Sequence, residues 1–582
     1  MVRTIRCLLS LVGVLSAQTH ENWPIPGPNA LKAPHPGWDL ADLLPATLPN
    51  GFTAYVAGMG FLPNGKLAIA DFPNPEAGSS SWEGSVWLLD GVLSGDKTQV
   101  KPVLYKSGLR APGGVSVVGS DLYLVDSKSL KKLTDADSNG TAETAEISGA
   151  YTQSSGQPAI QDLVYRSGFF YTSAGGSSNT LGGAKIAGSV VKFGMDGKFE
   201  LMCTGLRNPN GLAFNEQGDL FTTDNQGEWV PSDKFIHVVK GKYYGFQPLN
   251  TNNLQESPPA VWIPHGTTSA PKGDASIWPA GLSPAGPVFI KTGPYAGQAL
   301  VGDVRYGNIH RIFLEKVNGE YQGALFHFAG GLKGGVNRMV WGPDGALYLG
   351  IIGSPNFAWS WKENNLNDNW GVQRLKKNEK DFFEIVSVQA RLGGFELKFN
   401  HPVGSGAALA SKYKIQSWWY LPSTEYGGPQ KDMTTLPVKS TQVSADGMSV
   451  FLEVPGLQAK HVVHIELDSN QVVSDQGLKP WTFETWYTLN ALSTETPLTT
   501  TGHLPMTEHN LDYHVFCGQG GSIAVSSSSA GAFLIRDIGG HLRGKIILSA
   551  NENRKSGNRF PSGLYFVSKE NVRATPIPVV IP

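Results

Sequence analysis

Three arginines stand beside predicted β-strands, at places where their side chains could act together on one ligand. Arg207, followed by Asn208, lies just before the strand GLAF, and Arg338 directly precedes the strand MVW. Arg305 comes just after the strand ALVGD. A guanidinium is a planar fork that binds carboxylate through two parallel hydrogen bonds. Three of them at equivalent loop positions indicate an anionic, multiply carboxylated ligand, whereas any single one could simply pair with a loop carboxylate.

Aspartates recur at the ends of predicted strands in the same repeats. They are Asp71, Asp126, Asp224 and Asp303. Asp is a common residue where a strand ends in a turn, so a structural role is the ordinary explanation. Asp224 opens the polar loop DNQGEW, and for that reason it is the aspartate that we assign to the ligand site.

A separate acidic loop has the spacing of a calcium site. Side-chain oxygens stand at loop positions 1, 3, 5 and 9, with glycine at position 6, and this is what a hard cation requires from a tight loop. The alternative is a polar hairpin turn without an ion. The four predicted ligands are Asp135, Asp137, Asn139 and Glu143.

Charge and composition exclude several classes of function. Among 582 residues, 47 Lys and Arg balance 48 Asp and Glu, so no cationic surplus is available for nucleic acid or for an anionic membrane surface. Only 16% of residues are charged, while 70 Gly and 38 Pro favour turn-rich β-structure over helical bundles. An aromatic content of 10% is too high for a disordered chain.

The elements that position these residues belong to a repeat. A turn dipeptide followed by an alternating apolar strand occurs six times, and most steps between copies are about 50 residues. This period, with several strands in each unit, predicts an all-β fold with a six-bladed β-propeller over residues 50–380. The six copies are NGKLAIAD, GSDLYLVD, SGFFYTSA, QGDLFTTD, AGQALVGD and DGALYLGI.

The remainder of the chain divides into five predicted segments. Residues 1–17 have the pattern of an export signal, with Arg3 and Arg6 before a short apolar run. Residues 18–49 form an N-terminal segment without a predicted fold. Residues 381–492 predict an immunoglobulin-like β-sandwich, and residues 493–511 a Ser/Thr/Pro-rich linker. Residues 512–582 predict a small β-domain that resembles the C-terminal sorting domains of the type IX secretion system, or else a β-domain of another use.

The propeller region also resembles a known family. The string LRNPNGLAF from Leu206, with GDVRYGNIHR from Gly302 and NRMVWGPDGALYLG from Asn337, is similar to the soluble glucose/sorbosone dehydrogenases. Members of that family are six-bladed propellers that bind pyrroloquinoline quinone (PQQ) and calcium. The resemblance implies that Arg207 and Asn208 contact the cofactor. It also implies that Arg305 replaces a cofactor-binding Lys and that Arg338 is one of a cofactor-binding pair.

One departure from the family concerns the catalytic base. The family places a His shortly before the strand that here reads LVYRSGFFYTSAG, and residues 157–162 contain none. The second Arg of the family pair falls on Val336. Removal of a proton from a sugar hydroxyl needs a base within hydrogen-bond reach. Either Asp162 or the loop residue His265 replaces the missing His, or the propeller does not oxidise sugars.

Two functions from different classes therefore remain open. The first is a secreted, quinoprotein-like oxidoreductase that acts on a sugar or other alcohol. The second is a non-catalytic carbohydrate-binding propeller at the cell surface, where aromatic side chains stack on sugar rings. In both cases we expect a carbohydrate or small-molecule alcohol as partner, no nucleic acid and no membrane insertion, with cell-surface attachment through the C-terminal domain. The tryptophans of the second hypothesis are Trp229, Trp262, Trp278, Trp359 and Trp361.

Overall fold

The described part of the protein is all-β. The computed structural model describes residues 33–72, 83–126, 129–147, 151–152, 162–176, 180–181, 184–264, 283–304, 307–352, 370–424, 427, 430–497, 513–518, 522–527, 530–537, 541–549, 552–555, 560–561, 563–569 and 577–581. Across these ranges, helical structure is confined to short 3-10 turns at Val92–Ser94, Gln247–Leu249, Ser405–Ala408 and Ala410–Lys412. None of the helices described is long and apolar enough to cross a membrane.

The first half of the described chain builds one edge strand and three larger sheets. The edge strand is β1 (Trp38–Asp42). Sheet 1 contains β2 (Val56–Phe61), β3 (Leu67–Asp71), β4 (Glu83–Asp90) and β5 (Lys101–Arg110). Sheet 2 contains β6 (Gly114–Val118), β7 (Asp121–Val125), β8 (Leu130–Thr134) and β9 (Glu143–Glu146). The short strands β10 (Tyr151–Thr152), β13 (Thr180–Leu181) and β14 (Ala184–Lys185) pair with one another, while sheet 3 contains β11 (Val164–Arg166), β12 (Phe169–Ala174), β15 (Ser189–Gly194) and β16 (Phe199–Thr204).

Three further sheets follow in chain order. Sheet 4 contains β17 (Pro209–Phe214), β18 (Leu220–Asp224), β19 (Asp233–His237) and β21 (Val261–Ile263). Strand β20 (Lys242–Tyr243) pairs in parallel with β16 of sheet 3. Sheet 5 contains β22 (Pro284–Phe289), β23 (Ala299–Asp303), β24 (Asn308–Val317) and β25 (Glu320–Ala329). Sheet 6 contains β26 (Gly335–Trp341), β27 (Leu347–Ile352) and β28 (Gly371–Lys377).

The turn dipeptides of the repeat connect the first and second strands of their sheets. Gly65, Gly218 and Gly345 have φ of 82°, 91° and 74°, a left-handed conformation that glycine adopts without strain. The strands that follow alternate or are buried on both faces, as in LAIAD and LFTTD. The local sequence therefore explains why each of these sheets begins as a hairpin.

The six sheets contact one another in a closed ring. The first strands β2, β6 and β11 meet in sequence, and β12 of sheet 3 contacts β17 of sheet 4. The first strands β17, β22 and β26 then meet in sequence, and β26 contacts β2 to close the ring. Strand β1 pairs with β28, so a segment near the N-terminus supplies the fourth strand of sheet 6. Sequence analysis left residues 18–49 without a strand, because five residues of WDLAD are too short a pattern to recognise.

A second unit follows the ring and shares a sheet with it. Strands β25, β36, β35, β31 and β32 continue sheet 5 into an eight-stranded sheet, and β29, β30, β34 and β33 form an opposing sheet. An apolar core that includes Val388, Leu397, Ile465 and Tyr487 lies between them. The strands are β29 (Ile385–Arg391), β30 (Gly394–Phe399), β31 (Tyr413–Tyr420), β32 (Gln430–Leu436), β33 (Ser440–Val443), β34 (Ser449–Glu453), β35 (His461–Leu467) and β36 (Glu484–Leu489).

The last described residues form two small sheets around their own core. One sheet has the order β37-β38-β41 and the other β40-β39-β42-β43. Phe533, Ile546 and Val567 are among the buried residues that join them. The strands are β37 (Tyr513–Gly518), β38 (Ser522–Ser527), β39 (Gly531–Asp537), β40 (Leu542–Leu548), β41 (Glu552–Lys555), β42 (Gly563–Lys569) and β43 (Ile577–Ile581).

Candidate ligand site at the mouth of the ring

The candidate site lies at the end of the ring where the first strands of the sheets begin, which we call the mouth. Asp224 ends β18 opposite Pro209, the first residue of β17. Its carboxylate accepts hydrogen bonds from the backbone N–H of Arg207, at 3.0 and 3.1 Å, and of Asn208, at 2.7 Å. These bonds fix the backbone of both residues just before β17. The Arg-Asn motif is therefore positioned by a residue 16 to 17 positions further along the chain.

Other strand-ending aspartates of the repeat also accept hydrogen bonds from the backbone N–H groups of nearby loops. Asp71 accepts the backbone N–H of Thr53 at 2.9 Å and of Tyr55 at 3.0 Å. Asp126 accepts the N–H of Ser129 at 2.9 Å and forms an ion pair with Lys131 at 2.8 Å. Asp71, Asp126 and Asp224 thus hold loops, which is the structural role that sequence analysis considered ordinary for them, while Asp303 lies 3.6 Å from His310.

Asp224 itself is completely buried. Burial raises the pKa of its carboxyl to about 6, and the N–H groups of Arg207 and Asn208 together with the Lys234 ammonium oppose that rise. A side chain with no exposed surface cannot touch a ligand at the mouth. Asp224 therefore contributes to the ligand site indirectly, because it positions the loop that carries Arg207 and Asn208.

Arg207 reaches the surface and already binds a carboxylate. Its Nε lies 3.3 Å from Oε2 of Glu228, and a terminal nitrogen donates to the carbonyl oxygen of Gln226 at 2.8 Å. The Arg207 side chain is 20% exposed and that of Glu228 is 51% exposed. Gly227 lies directly against the guanidinium, because a Cβ at that position would be 1.9 Å from Arg207 Nε. Sequence analysis missed Glu228, although it stands four residues after Asp224 in the loop already singled out.

The turn that carries Glu228 is tight and is held from the second unit. Gly227 and Val230 exchange backbone hydrogen bonds of 2.9 and 3.1 Å, so Glu228 and Trp229 form the tip. Trp229 has a φ of 64°, which costs a residue with a Cβ about 1–2 kcal/mol. Its N–H donates to the carbonyl of Ser423 at 2.6 Å, in the connection between β31 and β32. Gly427, from the same connection, donates to the carbonyl of Gly227 at 3.4 Å.

Arg338 is not at the surface of the mouth but crosses the ring. One of its terminal nitrogens donates to Oδ1 of Asn210 in sheet 4 at 2.6 Å, and the other lies 3.4 Å from the carbonyl oxygen of Gly113, just before sheet 2. Its Nε lies 3.7 Å from Asp162, just before sheet 3. The residue is 5% exposed, and burial lowers the pKa of the guanidinium. Arg338 therefore connects four of the six sheets, although its Nε, 3.7 Å from Asp162, makes no hydrogen bond.

Asp162 belongs to the same group of polar contacts between sheets. Its Oδ2 accepts the N–H of Leu212 at 2.9 Å, and its Oδ1 accepts the N–H of Leu163 at 2.8 Å. With both oxygens hydrogen-bonded and only 8% of the residue exposed, Asp162 is not placed to accept a proton from a substrate hydroxyl. The structure gives no support to its expected role as replacement base and assigns it a structural role instead.

The remaining predicted site residues divide into two groups. Asn208 is half-buried beside Arg207, and its carbonyl accepts the N–H of Asn225 at 3.2 Å. Trp262 packs on Tyr420 of the second unit, with ring centroids 5.1 Å apart, so it is not an open stacking surface. Arg305 and His265 lie outside the described residues, as do Trp278, Trp359 and Trp361.

The acidic loop connects β8 and β9 in sheet 2. Asp135 accepts the N–H of Gly140 at 3.0 Å, Asp137 that of Asn139 at 3.1 Å, and Glu143 that of Ala136 at 2.9 Å. No group of three or more His, Cys, Asp or Glu in the described ranges has the arrangement of a metal site. Glu146 stands at position 12 of the loop, but the pairing of β8 with β9 places it opposite Lys131, three residues from the hairpin end where Asp135 and Glu143 lie. Glu146 is exposed and lies 3.6 Å from Lys131.

The donor set fits a carboxylate-bearing cofactor in part. Arg207 holds the Glu228 carboxylate, so the position accepts the chemical group that a PQQ carboxylate would present. Arg338 fits less well, because it is buried and one of its terminal nitrogens is already held by Asn210 and Asn337 within the ring. Arg207 and Arg338 are each close to a carboxylate, so among described residues these pairs carry no net charge.

Comparison with known proteins finds similarity in the same region. The family described as Glucose / Sorbosone dehydrogenase matches residues 188–354. No curated protein matches the chain. A putative oxidoreductase (glucose dehydrogenase) from Thermus thermophilus is 16% identical with a TM-score of 0.42, over 58% of this chain and 100% of that one.

Two other solved structures have similar sequence identity, TM-score and coverage. PQQ-bound aldose sugar dehydrogenase from Streptomyces coelicolor is 15% identical with a TM-score of 0.36, over 60% of this chain and 100% of that one. The PQQ domain of pyranose dehydrogenase from Coprinopsis cinerea, in its holo form, is 12% identical with a TM-score of 0.40, over 60% and 98%. Likenesses this distant do not decide the activity. Residues 188–354, which contain the Arg207 loop and the Arg338 tie, are similar to the glucose/sorbosone dehydrogenase family.

Proposed function

We propose that this protein is an oxidoreductase of the sugar dehydrogenase type, acting on a sugar or other small alcohol at the mouth of a six-bladed β-propeller. An immunoglobulin-like sandwich and a small C-terminal β-domain complete this architecture. The observation that carries the proposal is the Arg207–Asn208 loop. Its backbone is fixed by a buried aspartate, and its guanidinium holds a carboxylate at the surface, within the region matched by the family.

The proposed cofactor is PQQ, held by Arg207 and Asn208, with Arg305 added by family resemblance. When bound, PQQ supplies a two-electron quinone acceptor for oxidation of an alcohol. The chain's own contribution is to bind the cofactor's carboxylates and to orient it over the mouth. Asp162 and Arg338 would keep the ring rigid beneath it. His265 remains the proposed base.

A second candidate function is favoured by the geometry of Asp162. Both of its oxygens accept backbone N–H groups, so Asp162 is committed to the fold and not free to replace the family's base. A propeller without that base would bind carbohydrate and not oxidise it. Trp229, at the tip of the turn that Gly227 and Val230 close at the mouth, would then be the aromatic contact for a sugar ring.

Titration of the purified protein with PQQ and calcium separates the two candidates. An oxidoreductase should bind PQQ, and the loaded protein should reduce an artificial dye when sugars or other alcohols are added. A binding module should bind neutral oligosaccharide in the calorimeter with no dye reduction. Arg207→Ala should weaken the binding of PQQ at least tenfold, since loss of a desolvated charged contact costs about 2–5 kcal/mol of binding free energy.

We also propose a structural calcium ion in the loop between β8 and β9. Its ligands would be Asp135, Asp137, Asn139 and Glu143. The support is the oxygen-rich spacing and the tight turn at Gly140, whose φ is 89°. Export of the protein to the extracellular space or the cell surface remains a proposal from the sequence of residues 1–17, which lie outside the described residues.

A further inference from the structure

The geometry points to Glu228 as an internal competitor for the ligand-binding guanidinium of Arg207. We propose that its carboxylate occupies the place of a ligand carboxylate, so that an anionic ligand binds by displacing it. Glu228 would then set how strongly the mouth discriminates anionic from neutral ligands. This inference rests on the proposed function, because it takes Arg207 as the ligand-binding group.

The contact has the right chemistry and the right strength for displacement. Glu228 Oε2 lies 3.3 Å from Arg207 Nε, with the Glu228 side chain half exposed to solvent. Exposed ion pairs are worth only about 0.2–1 kcal/mol. A ligand carboxylate that engages the guanidinium through two parallel bonds is held more strongly than this contact. The Arg207–Glu228 ion pair is therefore weak enough for a ligand carboxylate to displace Glu228. Breaking the pair still costs free energy, which lowers the affinity of the ligand.

The backbone around Glu228 explains why this pair is not an accidental surface contact. Gly227 packs against the guanidinium so closely that no side chain fits there, and this brings the turn onto Arg207. On the other side of Glu228, the strained Trp229 is bonded to Ser423 of the second unit. Strained backbone persists only where its surroundings over-determine it. The second unit thus fixes the turn that presents Glu228 to Arg207.

The test compares Glu228→Gln with wild type and with the control Glu216→Gln. Glu216 is exposed in the turn between β17 and β18 of the same sheet, away from the Arg207 loop. Calorimetry would use PQQ, benzene-1,3,5-tricarboxylate and glucose as probes. We expect Glu228→Gln to bind both carboxylate probes about two- to fivefold more tightly, the value that corresponds to an exposed ion pair. Glucose affinity and the control should not change.

A second readout does not require any ligand. Phenylglyoxal modifies accessible guanidinium groups, and mass spectrometry can follow its rate at Arg207. We expect faster modification of Arg207 in Glu228→Gln than in wild type or Glu216→Gln. Unchanged modification together with unchanged or weaker tricarboxylate binding overturns the inference. If Glu228→Gln binds the tricarboxylate more tightly and Arg207 modification accelerates, but wild type does not bind PQQ, the inference holds and the proposed function fails.

Discussion

Asp224 shows how a single buried side chain can place a functional motif without touching a ligand. Its carboxylate accepts backbone N–H groups from Arg207 and Asn208 and so holds both residues where β17 begins. Because the folded-state pKa is raised to about 6 from 3.8, the folded protein binds this proton more tightly than the unfolded chain. The group therefore favours folding at low pH, and this contribution is lost as the pH rises from about 4 to about 6.

Asp224→Asn should remove that pH dependence. Relative to the variant, wild type should lose about 3 kcal/mol of its free energy of unfolding between pH 4 and pH 7, since one pKa unit corresponds to about 1.4 kcal/mol. Urea unfolding of both proteins across this pH range measures the difference. A difference in stability that stays constant with pH would show that Asp224 titrates normally in the fold.

Gly227→Ala tests the close approach of the mouth turn to Arg207. The new methyl group would overlap the guanidinium, which must move, and we expect a loss of about 1–3 kcal/mol in stability from the forced packing. Tricarboxylate binding should weaken as well, because Arg207 leaves its place. Thermal unfolding and calorimetry on one sample provide both values. Gly241→Ala is the control for binding: its added Cβ meets nothing within 4 Å, and its positive φ should cost about 1–2 kcal/mol in stability without changing tricarboxylate affinity.

At the scale of the elements, the ring depends on a polar tie at its centre. Arg338→Met should destabilise the protein by about 3–5 kcal/mol, because it leaves Asp162 as a buried, uncompensated charge. The double variant Arg338→Met with Asp162→Asn should recover part of that loss. Chemical denaturation of the two variants decides this, and full additivity of the two changes would mean that Arg338 and Asp162 do not interact.

The elements also show what the sequence could and could not predict. Turn dipeptides and alternation placed the strands around Arg207, because those patterns are local. The role of β1 was not predictable, since its partner β28 is more than 300 residues away in the chain. The carboxylate partners of Arg207 and Arg338, Glu228 and Asp162, were not predicted for the same reason. Ion pairs between loops leave no periodic signal in the sequence. Arg338 was expected at the surface of the mouth and instead crosses the ring.

At the scale of the whole molecule, the ring and the second unit share hydrogen-bonded sheet. Leu325 of β25 pairs with Trp486 of β36, and Arg311 of sheet 5 donates to the carbonyl of Ile385 at 2.7 Å. Across the same boundary, Glu484 of β36 accepts from His327 of β25 at 3.2 Å, and within its own unit it accepts from His464 of β35 at 2.9 Å. We therefore expect the two units to unfold together.

Glu484→Ala tests this coupling. Two buried imidazoles would lose their acceptor, and each unsatisfied group costs about 1–3 kcal/mol. Calorimetric unfolding should show one transition for both units, moved to lower temperature as a whole. His461→Gln, on the same strand β35 but partly exposed, should leave it in place. A shift confined to one of two separate transitions would mean that the units unfold independently.

The proposed calcium ion should act on the molecule as a stabilising ligand. Calcium should raise the unfolding temperature of wild type, and a chelator should lower it, by an amount that follows RT ln(1 + [L]/Kd). Asp137→Ala or Asp135→Asn should reduce this response. Differential scanning calorimetry with and without chelator measures it, and an undiminished response in both variants would place any calcium elsewhere.

The central claim is that Arg207 binds an anionic redox cofactor at the mouth of the ring. The most direct measurement is calorimetric titration of PQQ, with calcium present, into wild type and Arg207→Ala. We predict saturable binding to wild type and at least tenfold weaker binding to Arg207→Ala, with the same unfolding temperature for both unliganded proteins. Absence of PQQ binding to wild type, together with neutral oligosaccharide binding that Arg207→Ala does not alter, would contradict the account.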